Sequence, residues 1–528
     1  MGTRSFEELA RAVGDEVRIA APGAVPETIQ EVLLARIDRL AEPARQLLQT
    51  AAVLGRHAPL PLLRALWMGP DEVDAHLREL TRLEFLYPRR GGSDPVYAFV
   101  HTLTQEVAYE SLPLARREAL HAAAGRALEQ AYAGRLEEAY DRLGYHFSRS
   151  GDADKAIEYL TRLADHAAGA QAHREAVRLL AEARRHAERV PAPERERRRV
   201  DLILRQAYSL MPQGRFQEIL DLLSAHHDAV ERLGDPRVAA SCHLLLAQNY
   251  MFLGDDTRAV ASAERGLAEA TRAGDGATTG RIHYILSERC LLAGHPREGL
   301  EHGHRAIQQL ERAGDRWWLA TTYWALSVNH SLLGEFDAAL DAATRARTLG
   351  EAVGDPQAQS TAMWAIGVVH ALRGEHDAAI DACRRGLALA PDALSSAMAE
   401  GWLGYAHLER QEPAQAIPHL EPAIRRLGQF RFPQLHGLFT VYLAEAHRLA
   451  GRPDRAHELA RQALDRAHAS SARFVTACAW RVLGRIARDT GDREKAATWL
   501  DQARGLLQSM EARHEQALTE AELAALTP

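Results

Sequence analysis

The stretch LLGEFDAALDAATRARTLGEAVGD, residues 332–355, is followed closely by ALRGEHDAAIDACRRGLALAPD, residues 371–392, an edited copy of the first. Working outward from this pair, Gly214, Gly254, Gly294, Gly334 and Gly374 stand forty residues apart. Gln411 takes the next place after a step of 37, and Gly451 and Gly491 resume the spacing of forty. A second series, Gly234, Gly274, Gly314 and Gly354, has the same spacing, and each of its members precedes an aspartate: Asp235, Asp275, Asp315 and Asp355. A period of this length is the signature of stacked supersecondary units and outranks any local reading. Gly334 can adopt the left-handed conformation that closes a helix. Asp337 is expected to cap the next helix by accepting backbone N–H bonds. Apolar and small residues recur at spacings of three and four between the turns. One unit is therefore two antiparallel helices, which cannot bury both faces alone and must stack on further copies.

Within the copies, Tyr140, Leu143, Gly144, Phe147, Gly151 and Ala156 occur in the order of the tetratricopeptide motif, and the chain resembles that repeat family. Trp480, Leu483, Gly484, Gly491 and Ala496 repeat the pattern, with Ala487 in the place of the aromatic residue. The alanine expected where two helices cross closely recurs as Ala259, Ala339, Ala379, Ala416 and Ala456. The resemblance covers about residues 140–510 and implies a right-handed superhelix of about nine hairpins. The period of forty implies helices longer than the family's usual ones.

Composition agrees with a helical chain. Of 528 residues, 46% are hydrophobic and 26% charged, which is enough apolar surface for a folded core. Alanine, leucine, arginine and glutamate dominate, and β-branched residues are sparse, which favours helix over strand. The net charge of −7 gives no global sign of a nucleic-acid protein. The four cysteines, Cys242, Cys290, Cys383 and Cys478, lie far apart with no metal-ligand spacing, so packing thiols are expected. No apolar run reaches the ~18–20 residues needed to cross a bilayer, and the N-terminus lacks a signal core, which together predict a cytoplasmic protein.

Residues 1–135 lack the period. VPETIQEVLLARIDRL opens a helix with Pro26 and Glu27 at its start, and PARQLLQTAAVLG is a second helix closed by Gly55. APLPLLRALW and GPDEVDAHLRELTRLEFL predict a third and a fourth. Two extended runs, EFLYPRR and VYAFVH, are joined by Gly91-Gly92-Ser93-Asp94, and strand is expected only over about residues 85–101. A few helices followed by a hairpin describe a winged helix. VPETIQEVLLARIDRL, LLQTAAVLG and FVHTLTQEVAYESLPLARREALH resemble the winged-helix segment of bacterial regulatory ATPases. These are AAA-type relatives of the signal-transduction ATPases with numerous domains, often linked to a cyclase or kinase. Tyr97, Phe99, His101 and Leu103 are similar to a signature in which a histidine reaches the bound nucleotide. The resemblance thus gives His101 as the family's nucleotide-contact position, but a P-loop needs Gly-Lys-Ser or Gly-Lys-Thr. The only lysines, Lys155 and Lys495, follow Asp154 and Glu494, so His101 is expected to be an orphan that joins the hairpin to the next helix.

The expected organisation is therefore a lid-like remnant and linker over 1–24 and a winged-helix-like connector over 25–135. Tetratricopeptide-like repeats over 136–510 and a capping helix over 511–528 complete it. The fold class is all-α. The N-terminal SFEELARAVG resembles the last helix of an ATPase module, and the chain reads as the C-terminal part of such a regulator.

No catalytic motif is present, so no enzyme and no cofactor are expected. His330, His370, His407 and His447 share one repeat position. Neighbouring repeats would set them about 10 Å apart, too far for one zinc ion, so they read as core replacements of an aromatic and no metal is expected. The fourth helix carries Asp71, Glu72, Asp74, Glu79 and Glu84 against Arg78 and Arg82, which repels phosphates. Direct nucleic-acid binding is not expected from this helix, even with Arg89 and Arg90 on the wing.

Positions ten and six residues before each turn should face the concave groove. Ten before gives Leu244, Tyr284, Trp324, Trp364, Gly401, Val441 and Arg481. Six before gives Gln248, Glu288, Val328, Val368, Tyr405, Glu445 and Arg485. Gln248, Tyr284, Glu288, Trp324, Trp364, Tyr405, Arg481, Arg485 and Arg488 are the candidate ligand residues. Arg448, Arg481, Arg485 and Arg488 are expected to make the far end basic, and an extended peptide or amphipathic helix would lie along the groove. The reading is a non-enzymatic sensor or interaction module of a signal-transduction or transcription regulator, with a protein, peptide or separate ATPase chain as partner and no membrane contact. The alternative is a DNA-associated transcriptional regulator acting through the winged helix or a partner chain.

Overall fold

The left-handed turns dictated by the two glycine series organise the computed structural model, which describes residues 29–67, 73–91, 94–192, 194–469 and 472–526. Every glycine of both series has a positive φ, and Gln411 adopts φ 64° where its copy has no glycine. The N-terminal ATPase-like remnant, Pro26, Glu27, Asp71 and Glu72 lie outside the described residues.

The chain divides into two units, residues 1–166 with 178–195, and residues 167–177 with 196–528. The first opens with α1 (Ile29–Asp38), α2 (Glu42–Leu54), β1 (His57–Pro59), α3 (Leu60–Leu66) and α4 (Val73–Arg82). β2 (Leu86–Gly91), β3 (Asp94–Phe99), α5 (Thr102–Glu110), α6 (Leu114–Ala131) and α7 (Tyr140–Phe147) follow. Gly55 ends α2 with φ 104°. The strands form an antiparallel sheet of order β1-β3-β2, with Leu86 opposite Phe99 and Ala58 opposite Tyr97. β1 corrects the expectation that strand is confined to 85–101: three residues carry no alternation, and their extended form comes from pairing with β3. Leu47, Leu48, Leu77, Leu80 and Phe99 form the core beneath this sheet.

The chain continues through α8 (Ala153–Gly169), α9 (His173–Ala187) and α10 (Glu194–Leu210). In the second unit, α11 (Phe216–Ser224) and α12 (His227–Leu233) precede seven regular hairpins. These are α13 (Pro236–Phe252) with α14 (Asp256–Ala273), α15 (Gly276–Ala293) with α16 (Pro296–Ala313), and α17 (Arg316–Leu332) with α18 (Phe336–Val353). Then come α19 (Pro356–Leu372) with α20 (His376–Leu389), α21 (Ala393–Glu409) with α22 (Pro413–Gln429), α23 (Pro433–Leu449) with α24 (Pro453–Ala469), and α25 (Arg473–Asp489) with α26 (Arg493–Ser509). A single helix, α27 (Arg513–Ala524), ends the series. The fold is all-α in class, a tetratricopeptide-like solenoid.

Local chemistry explains the regularity. Asp235, Asp275, Asp315 and Asp355 each cap the following helix, accepting from the backbone N–H of Arg237, Thr278, Trp318 and Ala358. Asp337 does not cap. Glu335 is the N-cap of α18, and Asp337 sits in its first turn, where it accepts from Arg373 at 3.0 Å. The crossing alanines Ala259, Ala339, Ala379, Ala416 and Ala456 are all buried. Opposite Ala416, and opposite Ala496 in the last hairpin, the partner helix has glycine: a Cβ on Gly404 would lie 3.2 Å from the Ala416 carbonyl, and one on Gly484 3.3 Å from that of Ala496. The Leu-Gly pair thus lets two backbones approach where a larger residue would force them apart.

Candidate functional site

Because one helix of every hairpin faces inward, side chains at equivalent positions in successive copies meet. Trp324 and Trp364, forty residues apart, lie 5.7 Å centroid to centroid at 78°. Trp364 stacks on Trp402 at 5.4 Å and 14°, and Tyr405 stacks on Tyr442 at 4.6 Å. Phe252 bridges Phe216 and Phe432 at 4.9 and 5.2 Å. Such offset and edge-on pairs add to the stabilisation from burial. Trp364 is 3% exposed, whereas Trp324 is half-buried.

These aromatics surround a cavity of about 430 Å³ within the second unit. Gln248, Tyr284, Glu288, Trp324, Trp364 and Tyr405 line it. The counting missed the other walls. Phe432 and Gln434 come from the turn before α23 and its first residues, Met211 and Pro212 from the segment after α10, and His514 and Glu515 from α27. They arrive because the superhelix returns on itself. Gln434 Nε2 donates to the Met251 carbonyl at 3.0 Å, Arg297 pairs with Glu511 at 2.7 Å, and the rings of Phe336 and His514 lie 5.1 Å apart.

Arg481, Arg485 and Arg488 do not line the cavity, and the end they occupy is not basic. Arg481 pairs with Glu515 and with Glu522 at 3.2 Å, and Arg485 pairs with Glu522 at 2.5 Å and Glu445 at 2.9 Å. Arg448 pairs with Glu445 at 2.8 Å and with Asp489, which Arg488 also meets at 3.0 Å. Four carboxylates face four guanidiniums, two of them supplied by α27. One of these pairs was legible: Glu445 and Arg485 hold the same position in adjacent copies, so a contact forty residues apart follows from the period.

His330, His370 and His407 are not simple core replacements. Their Nδ1 atoms meet Glu335, Glu375 and Glu412 at 2.7, 2.5 and 2.9 Å, tying each helix to the start of the next. The signal is the glutamate five residues on. His447, followed by Arg452 instead, has no partner for its Nδ1. Among the described residues no group of histidine, cysteine or carboxylate side chains is arranged to hold a metal. His101 stands where β3 gives way to α5, as the N-cap residue of that helix. Asp74 of α4 pairs with Arg64 at 3.0 Å. The four cysteines are free and buried, and burial pushes the Cys383 thiol up to about 12. Among the described residues no helix is long and apolar enough to cross a membrane.

Glu288 is the cavity residue with the most unusual environment. It is 6% exposed, its Oε2 has no hydrogen-bond partner, and burial pushes its carboxyl up to about 7 despite the opposing hydrogen bond from Tyr284. A raised carboxyl favours the folded state only while both states are protonated. Stability is therefore full below about pH 4.5 and falls as pH rises towards 7, by roughly 3 kcal/mol in all. Glu288→Gln removes this slope. Denaturant midpoints at pH 5 and pH 8 should show the variant gaining on the parent protein at pH 8. Equal pH dependence in the two would rule out a perturbed Glu288.

The class defined by this architecture is the helical repeat protein built from tetratricopeptide-like units. More narrowly, residues 333–393 and 403–472 match the model of the tetratricopeptide repeat family. No curated protein matches the sequence. Among solved structures, the chain is similar to a signal transduction ATPase with numerous domains carrying a tetratricopeptide repeat sensor, from Pyrococcus horikoshii. The identity is 12%, covering 96% of this chain and 68% of that one, with a TM-score of 0.40. It is also similar to a Rap protein complexed with competence and sporulation factor, at 13% identity over 62% of this chain and 97% of that one, TM-score 0.45. Aspartyl phosphate phosphatase F from Bacillus subtilis gives 12% identity over 68% and 95%, TM-score 0.42.

Proposed function

We propose that this chain is a non-enzymatic sensor and interaction module of a signal-transduction regulator, in which the repeat unit takes an effector in its interior and its outer surface meets a protein partner. The observation that carries this reading is the aromatic cavity of about 430 Å³, within the size range of small-molecule sites and built from helices at both ends of the repeat array. The order of two helices, β1, two further helices and the β2–β3 hairpin supports residues 25–135 as a winged-helix connector. A separate ATPase chain is the partner proposed for it, and the cytoplasm the proposed compartment.

The test is a titration of the full chain with the neutral fluorescent probe N-phenyl-1-naphthylamine. Saturable binding of one probe per chain is expected, abolished by Met398→Trp, which fills the cavity from α21 while leaving the helical spectrum unchanged. Absence of saturable binding to the parent protein, or equal binding to the filled variant, would refute an effector site in the interior.

A further inference from the structure

Resting on the effector reading above, the lining chemistry narrows the occupant to one charge type. Among the described residues three carboxyl residues, Glu288, Asp392 and Glu515, line the cavity, and no lysine or arginine does. His514, the one histidine of the lining, is held towards its neutral form, first by burial and then by the charge of Arg481. An anion entering this space would meet no cationic side chain in the lining, and Arg481 behind it is already paired with Glu515 and Glu522, in surroundings too apolar to screen the carboxyls.

Two of the three carboxyls are already engaged. Asp392 caps α21, accepting from Ser395 N at 2.8 Å and from the Ser395 hydroxyl at 2.9 Å. Glu515 is paired with Arg481. Among the described residues Glu288 has no cationic partner; it is buried and keeps an oxygen without a hydrogen bond. Gln434 contributes a second unpartnered acceptor, its Oε1, while its amide nitrogen is held by the Met251 carbonyl. A buried polar atom without a partner is costly, and a ligand that supplies the missing donor relieves that cost. The aromatic walls suit the same occupant, because ring faces attract cations when water is excluded.

We propose that the cavity binds an apolar small molecule bearing one positive charge, a hydrophobic amine, with its ammonium group at Glu288 and its apolar body between Trp324, Trp364, Trp402 and Tyr405. The ammonium N–H donates to the Glu288 carboxylate, which the cation holds in its ionised form. The indole N–H groups of Trp324 and Trp402, both buried without an acceptor, suit an ether or carbonyl oxygen elsewhere on the same molecule.

The experiment displaces N-phenyl-1-naphthylamine from the full chain at pH 8 with three matched compounds: 4-(1-naphthyl)butylamine, the corresponding alcohol and the corresponding carboxylic acid. The amine is expected to compete at least tenfold better than the alcohol, with the acid weakest. Glu288→Gln should bring the amine to within about threefold of the alcohol, both read in the same variant, and its helical circular dichroism at pH 8 keeps loss of folding from being mistaken for loss of recognition. If the amine and the alcohol compete equally in the parent protein, or the acid competes best, the charge assignment fails although the effector site stands. If the probe itself does not bind saturably, both fail.

Discussion

Trp364→Ala is expected to lower the stability of the repeat unit by about 3–5 kcal/mol, the range for truncating a buried aromatic residue. The indole is 3% exposed and sits between Trp324 on one side and Trp402 on the other. Its own helix has no freedom to collapse into the space left behind. A Cβ added to Gly386 would lie 3.1 Å from the Trp364 backbone nitrogen, so α19 and α20 already touch through their main chains. The cavity beside the indole enlarges instead, and part of the aromatic ladder loses its contacts. Trp324→Ala, at a half-buried position, should cost less than half as much. Urea unfolding followed by helical circular dichroism compares the two. A loss below about 1 kcal/mol for Trp364→Ala would mean that the inner wall is not part of the load-carrying core.

Arg485→Met should cost about 3 kcal/mol at neutral pH, towards the lower end of the range for breaking a buried ion pair because its side chain is 21% exposed. The change leaves Glu445 with Arg448 alone and Glu522 with Arg481 alone. Burial by itself would raise both carboxyls; hydrogen bonds from Arg448 to Glu445 and from Arg485 to Glu522, with the charge of Arg485, overcome it and hold them below their ordinary value. A lowered carboxyl stabilises the fold above its unfolded value and loses that contribution as pH falls through the folded one. The deficit of the variant should therefore be largest near pH 7 and shrink below pH 4, where both carboxyls are protonated. Melting curves at the two pH values decide the matter: a deficit that does not change with pH would show that Arg485 acts through packing of its aliphatic stem instead.

How far the sequence reveals this molecule depends on the range of the interaction. The turn glycines, the crossing alanines and the aspartates that follow the second glycine series act within a few residues of themselves, and their spacing announces them. Contacts one repeat apart are legible too once the period is known, as Trp324 with Trp364 and Glu445 with Arg485 demonstrate. Asp337 was misleading because Glu335, two residues earlier, already holds the cap position. The pairing of β1 and the glutamates of α27 were hidden for a different reason. His57–Pro59 is too short to show alternation, and Glu515 and Glu522 find Arg481 and Arg485 only once the last helix has folded back. The walls that turn a groove into a cavity fall outside any periodic reading, since Phe432 and His514 face it from other turns of the superhelix.

The bond from Gln434 to Met251 joins residues 183 apart, and the pair formed by Arg297 and Glu511 spans 214. A linear repeat array is modular: a copy can be gained or lost, and only the distance between its ends changes. Here each turn of the helix must find the one before it, so the number of copies is fixed by the circumference. Insertion or deletion of one forty-residue hairpin would throw these distant partners out of register together. The same linkage adds a few contacts of large sequence separation to an otherwise local set, and closing them is expected to slow folding relative to an open array and to make its loss more nearly all-or-none.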